Sequence, residues 1–205
     1  MSARPPVRVA VMASGGGTNL QALLDALNGV ADAPARVTRV VSNRADAGAL
    51  DRARRAGVAA VTVTDPADPA QVLAALGDAE LVVLAGYLKL IPAPVVSRFR
   101  WRMVNIHPAL LPDFGGPGMY GARVHQAVLA AGARESGASV HYVTEEYDRG
   151  AVIARARVPV LPGDTPDALA ARVLTAEHRL LPHVVTALAR LGLPSRAVRL
   201  EDIGT

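Results

Sequence analysis

The sequence predicts an α/β fold: a doubly wound, mainly parallel sheet with a C-terminal antiparallel extension and a long closing helix. Three observations carry this prediction. Short apolar runs such as Val7–Ala13 and Leu81–Ala85 alternate with amphipathic stretches, which is the pattern of βαβ units. Beyond the fifth such run the pattern changes, and Ala138–Thr144 and Val152–Val160 lie close enough to pair antiparallel. An Ala- and Leu-rich stretch from about Pro166 to Leu191 then has the length and the apolar face of a helix that covers a sheet.

The elements follow in order. Strands are predicted at Val7–Ala13, Val37–Ser42, Ala59–Thr64, Leu81–Ala85 and Met103–His107, with helices near Asn19–Leu27, Ala45–Ala56, Pro69–Leu76 and Pro92–Arg98 between them. A helix near Ala122–Ala131 leads into the antiparallel pair. Pro182 predicts a bend in the last helix, because its ring clashes with the carbonyl one turn earlier. Val198–Leu200 has the character of a short edge strand. No repeat, low-complexity tract or linker interrupts the pattern, so residues 1–205 read as one Rossmann-like domain.

Composition narrows the chemistry. Hydrophobic residues make up 51% of 205, enough for a substantial core without covalent staples. Cysteine is absent, which removes disulfides, thiolate nucleophiles and cysteine metal sites together. The net charge is +4 although the pI is near 10.1; with few Tyr and no Cys, little titrates between His and Arg. Arg52, Arg54 and Arg55 form the densest basic cluster, on a predicted helix among Ala and Asp, and read as a solvated face. A nucleic-acid partner is therefore not expected. Neither a secretory leader nor a run long enough to span a membrane is evident, and the expected location is cytoplasmic.

The polar chemistry concentrates at the ends of predicted strands. In VNIHPALLP, Val104 to Pro112, Asn105 and His107 stand two apart and project to one face of a strand that Pro108 stops. An amide and an imidazole side by side suit the holding of an oxyanion and the movement of a proton, though a buried pair satisfied by backbone bonds would look the same. After the first strand, SGGGTNLQALLDA offers a tight turn with inward N–H groups and a helix N-terminus. It lacks the third glycine of a dinucleotide fingerprint and the Lys of a triphosphate loop, so a single phosphate monoester fits it better.

Leu88–Ile91, after the fourth strand, is an apolar turn that could cover one face of a flat heterocycle. The segment Pro112–Gly121 packs four Gly and two Pro into ten residues, which favours mobility or close approach to a ligand. In SVHYVTEEYDRGAVI, Thr144 to Asp148 form an acidic turn. If Asp148 reaches His107, its charge should raise the imidazole pKa. A metal site from His107, His141 and Asp148 has irregular spacing, and no G-x-S-x-G elbow supports a serine hydrolase.

Together these segments resemble the folate-dependent formyltransferases, most closely the branch that acts on glycinamide ribonucleotide in purine synthesis. The likeness covers almost the whole chain: SGGGTNLQALLDA, VVSNRADAGALDRARRAGV, VVLAGYLKLI, VNIHPALLP, SGASVHYVTEEYDRGAVI and VPVLPGDTPDALAARVLTAEHRLLP. The resemblance implies 10-formyltetrahydrofolate as co-substrate, glycinamide ribonucleotide as acceptor, no metal, and a monomer or homodimer. It implies that Gly17, Thr18 and Asn19 hold the 5′-phosphate and Glu177 the ribose hydroxyls. The pteridine would lie between Leu88, Lys89, Leu90 and Ile91 and the turn of Thr144, Glu145, Glu146, Tyr147 and Asp148, beside Asn105. Asn105, His107 and Asp148 would be the catalytic set. The N-terminal half, about 1–100, would bind phosphate, and the half from about 101 to 205 would carry catalysis and folate.

Several positions depart from the family pattern. Lys89 stands where Arg is frequent, Gly16 where Asn is frequent, and Arg149 where a second Gly is usual. Arg149 is expected to lower the pKa of Asp148 or alter its turn. The Pro112–Gly121 loop is long and Thr64–Gln71 short, so a folate-contacting Arg found there in some members has no counterpart. Formyltetrahydrofolate hydrolase and methionyl-tRNA formyltransferase share the chemistry but usually carry an added N-terminal or C-terminal domain. A noncatalytic phosphometabolite-binding module is the alternative from another class.

Overall fold

The computed structural model describes residues 5–204. Five strands, β1 (Val7–Met12), β2 (Ala35–Ser42), β3 (Ala59–Thr62), β4 (Leu81–Leu84) and β5 (Met103–His107), pair in parallel. Strands β6 (Glu135–Tyr142) and β7 (Val152–Pro159) extend the sheet antiparallel, in the order β3-β2-β1-β4-β5-β6-β7. The strand order reverses between β1 and β4, and an open α/β sheet forms its ligand crevice beyond the carboxyl ends of the strands at that point.

Alternation along β1 sorts the core into two layers. Val7, Val9 and Val11 face a layer built with α1 (Thr18–Leu23), α2 (Gly48–Arg55), part of α5 (Ala122–Ala130) and α6 (Pro166–Arg190). Ala10 and Met12 face α3 (Pro69–Leu76) and α4 (Ala93–Arg98) on the other side. Every residue of β4 is buried, as a strand covered on both faces requires. Helix α6 is capped by Thr165, whose hydroxyl accepts from the Ala168 N–H at 3.2 Å, with Pro166 as its first residue. It buries Leu169, Val173, Leu180, Val184 and Leu188 against the sheet and remains helical through Pro182.

Several expected boundaries move for identifiable reasons. The helix expected from Ala45 begins at Gly48, because Ser42 Oγ accepts the Arg44 N–H and the Ala47 N–H bonds the Arg44 carbonyl, closing a turn first. The second strand begins at Ala35 rather than Val37, and the third ends at Thr62, two residues early. The first helix ends in a π-helical turn, Leu24–Asn28. Strand β6 starts at Glu135 rather than Ala138: the bare Gly137 lets β7 approach so closely that a Cβ would stand 2.0 Å from the Ala156 carbonyl oxygen. Val198–Leu200 is not a strand. The tail meets β7 through Leu200 N–H to the Ile153 carbonyl and a bridge between Ile203 and Ala156, while the Asp202 carboxylate takes the Arg155 N–H that a ladder would need.

Candidate active site

The loops after β1, β4 and β5 converge at the reversal point. Gly17 takes a left-handed conformation (φ 74°), and a Cβ there would stand 2.8 Å from Ala49 Cα. The first turn of α2 bonds the loop directly, Ala49 N–H to the Gly15 carbonyl at 3.0 Å. No side chain caps α1, so its first-turn N–H groups stay free for an anion. Ser14 ties this loop to the one after β4: its N–H bonds the Gly86 carbonyl, and its hydroxyl accepts from the Leu88 N–H at 3.1 Å.

Asn19 and Glu177, far apart in sequence, meet here. Asn19 Nδ2 donates to Glu177 Oε2 at 2.6 Å, joining α1 to α6. Glu177 is 7% exposed, and burial pushes its carboxyl up to about 7 despite the Asn19 bond. The Asn19 Oδ1 is buried with no partner. A ribose hydroxyl could donate to that carboxylate or amide oxygen.

Asp148 lies at the centre of the polar cluster. Its Oδ2 accepts the Gly116 N–H at 2.9 Å and stands 3.5 Å from His107 Nδ1, an ion-pair distance too long for a strong hydrogen bond. Its Oδ1 lies 3.4 Å from both His141 Nε2 and Asn105 Nδ2. Asn105 Nδ2 is also 3.0 Å from His141 Nε2. The Nδ1–H of His141 donates to the Tyr142 carbonyl at 2.8 Å, so Nε2 faces Asn105 and Asp148, accepting from the amide when bare and donating to the carboxylate when it carries a proton. Likewise the His107 Nε2–H donates to the Phe114 carbonyl at 2.8 Å, so its proton-accepting nitrogen is Nδ1, on the Asp148 side.

The backbone is bent to make these contacts. Phe114 (φ 55°) and Asp148 (φ 56°) both hold left-handed conformations that side chains rarely adopt, and both supply oxygens to His107. Gly150 lets the Asp148 turn close: a Cβ there would overlap the Tyr142 carbonyl oxygen at 1.7 Å.

The electrostatics correct one expectation. Burial pushes His107 below the usual imidazole value, and the opposing charge of Asp148 does not overcome it. For Asp148 burial acts upward, but the His141 contact, the His107 charge and the Gly116 N–H together bring its carboxyl below the usual range. Arg149 is exposed and takes no part in that balance.

Two cavities meet at this cluster. The larger, about 540 Å³, runs from Asn19 and Glu177 past His107 to His125 and the Gly116–Ala122 segment. The smaller, about 50 Å³, lies between Lys89–Ile91 and the turn containing Thr144, Glu146 and Tyr147, with His141 at its base. Asn105, Asp148, Tyr87 and Tyr147 line both. Of the residues predicted to bind folate, Leu88 faces the larger cavity, and Glu145 lines neither of the two. Gly17 and Thr18 lie outside both, at the open mouth of the loop after β1.

Sequence reasoning weighed His141 only as a metal ligand, took Phe114 and Gly116 only as part of a glycine-rich loop, and assigned no role to His125. His141 lies opposite Asn105 in the β5–β6 register, and cross-strand partners on one face touch. Its alternation with Ser139 was the one available signal. Among the described residues no group of three His, Asp or Glu side chains converges so as to hold a metal ion. Nor does any helix there have the length and apolarity to cross a membrane.

The family model for formyl transferases matches residues 7–185. Phosphoribosylglycinamide formyltransferase of Escherichia coli (strain K12) is 39% identical over 208 residues, covering 95% of this chain and 94% of that one. The chloroplastic phosphoribosylglycinamide formyltransferase of Arabidopsis thaliana is 42% identical over 193 residues; the match covers 88% of this chain and 65% of the plant protein. The chain thus spans less than two thirds of that relative's length. A crystal structure of phosphoribosylglycinamide formyltransferase from Anaplasma phagocytophilum superposes with a TM-score of 0.85 at 32% identity, covering 97% of this chain and all of the other. The agreement runs through the loop after β1, the Asn105–His107 strand, the Asp148 turn and α6 as far as Val185, and the chain belongs to the formyl transferase family.

Proposed function

We propose that this protein transfers the formyl group of 10-formyltetrahydrofolate to the amine of glycinamide ribonucleotide. The observation that carries the proposal is the meeting, at Asn105 and Asp148, of a cavity that begins at Asn19 and Glu177 with a smaller one walled largely by apolar side chains. Membership of the formyl transferase family supports the same reaction class. In this reading the Gly17–Asn19 turn receives the phosphate, and Glu177 the ribose hydroxyls. The walls of the smaller cavity fit a pteridine in character: Leu90, Ile91 and Val143 are apolar, and Asn105 and Thr144 supply polar groups. Its 50 Å³ is well under the roughly 300 Å³ of a small-molecule site, so binding requires the Leu88–Ile91 and Thr144–Asp148 turns to part.

The folate derivative supplies the formyl carbon, which the ribonucleotide amine attacks, placing negative charge on the formyl oxygen. Asn105 turns one N–H from its long 3.4 Å contact with Asp148 toward that oxygen. His107, neutral before attack because it is buried, accepts at Nδ1 the proton shed by the attacking nitrogen and becomes a cation beside Asp148. It returns that proton to the departing nitrogen as the carbon–nitrogen bond breaks, and the formyl carbonyl re-forms on the product amide. His141 holds Asn105 and Asp148 in place.

The test is incubation of the protein with 10-formyltetrahydrofolate, with and without glycinamide ribonucleotide, following release of tetrahydrofolate. Ribonucleotide-dependent release is the expected outcome. Equal release without the amine would make the protein a hydrolase, and no release would make it a binding module.

A further inference from the structure

The arginine stripe on α2 is not uniform. Arg54 Nη1 sits 2.7 Å from Asp51 on the solvent side, and Arg55 is exposed. Arg52 instead turns back onto the loop after β1. Its Nε donates to the Gly16 carbonyl at 2.8 Å and its Nη1 to Gln21 Oε1 at 3.1 Å. Gln21 is itself fixed, donating to Asp25 at 2.8 Å, so one edge of the guanidinium is held. A guanidinium carries five N–H groups, and three of them are left over. Among the described residues Arg52 makes no ion pair with a carboxylate.

The loop beside it, Ser14–Asn19, contains no cation. An uncapped helix start offers partial charge, which is weak compensation for a phosphate dianion. A second basic group stands near. His178 follows Glu177 on α6, its Nε2 is buried without a partner, and burial together with the Arg52 charge holds its imidazole below the usual value. The acids at this corner are already engaged, Glu177 by Asn19 and Asp25 by Gln21, and neither pairs with Arg52.

We propose that Arg52 is the cation of the phosphate subsite, binding the 5′-phosphate of the acceptor ribonucleotide directly from α2. The inference rests on the reading of the acceptor given above. It makes Arg52 a binding residue rather than a brace for the loop, and the two roles separate experimentally. Affinities of glycinamide ribonucleotide and of the dephosphorylated glycinamide riboside are measured for the wild type, Arg52→Gln and Arg52→Lys across a range of KCl concentrations.

Arg52→Gln should weaken the ribonucleotide about 10- to 100-fold, the range for loss of a charge-assisted hydrogen bond, and leave the riboside unchanged. The salt dependence of ribonucleotide binding should flatten in Arg52→Gln and persist in Arg52→Lys. Equal losses on both ligands, or a salt dependence in Arg52→Gln as steep as in the wild type, would reduce Arg52 to a brace. A wild-type protein that binds the two ligands equally would overturn the acceptor assignment itself, and the role of Arg52 with it.

Discussion

Asp148 places one negative charge beside His107, and burial decides how that charge acts. With His107 only 3% exposed, loss of solvation favours the neutral ring, and the carboxylate offsets part of that penalty. Asp148→Asn removes the largest upward influence on the imidazole, so His107 should titrate at still lower pH than in the wild type. NMR titration of the imidazole carbons reads this directly, and an unchanged or upward shift would contradict the electrostatic balance. In the same reading, Asn105→Ala, His107→Ala and Asp148→Ala should each lower turnover on the order of 10²–10³-fold while leaving the protein folded. Near-normal turnover in any of them would sink its assigned role. At this scale Asn105 and His107 were legible because strand alternation is a local rule. The contact of His141 with Asn105 was not, because it depends on the β5–β6 register, which no local pattern specifies.

Among the elements, the turn joining β6 to β7 bears the tightest steric demand. Gly150 has the Tyr142 carbonyl oxygen where a Cβ would go, and the Tyr142 N–H is engaged with the Ala151 carbonyl at 3.0 Å, so neither side can move cheaply. Gly150→Ala should destabilise the fold by about 3 kcal/mol, at the upper end of overpacking costs. Gly163→Ala is the control. That residue has a positive φ of 79° but open space around it, and should cost about 1 kcal/mol from backbone strain alone. Urea unfolding midpoints at unchanged slope would separate the two. The order of strands and helices was readable from periodicity, whereas boundaries failed where a side chain intervened. Ser42 delays α2, and the Asp202 carboxylate takes the Arg155 N–H that a strand at the C-terminal tail would use.

For the whole molecule, Glu177 links stability to pH. Its folded carboxyl titrates at about 7 against an ordinary value of 4.5, so between these values the unfolded chain loses a proton that the folded one keeps. Stability from this group is therefore complete below about pH 4.5 and declines as pH rises toward 7. The decline is on the order of 3 kcal/mol for a group so deeply buried. The melting temperature of the ligand-free protein should fall across that window, and Glu177→Gln should flatten the fall while weakening ribonucleotide binding. An equally steep fall in the variant would locate the effect elsewhere. The bond that holds this carboxylate has a second consequence, set by when its two ends are made. Glu177 is translated 158 residues after Asn19, so in the proposed reading a nascent chain has no complete acceptor site until α6 has been translated and docked. Such a distant pairing comes late and slowly in folding. An interrupted product should thus expose its uncapped α1 and bind no ribonucleotide, rather than act as a partial enzyme.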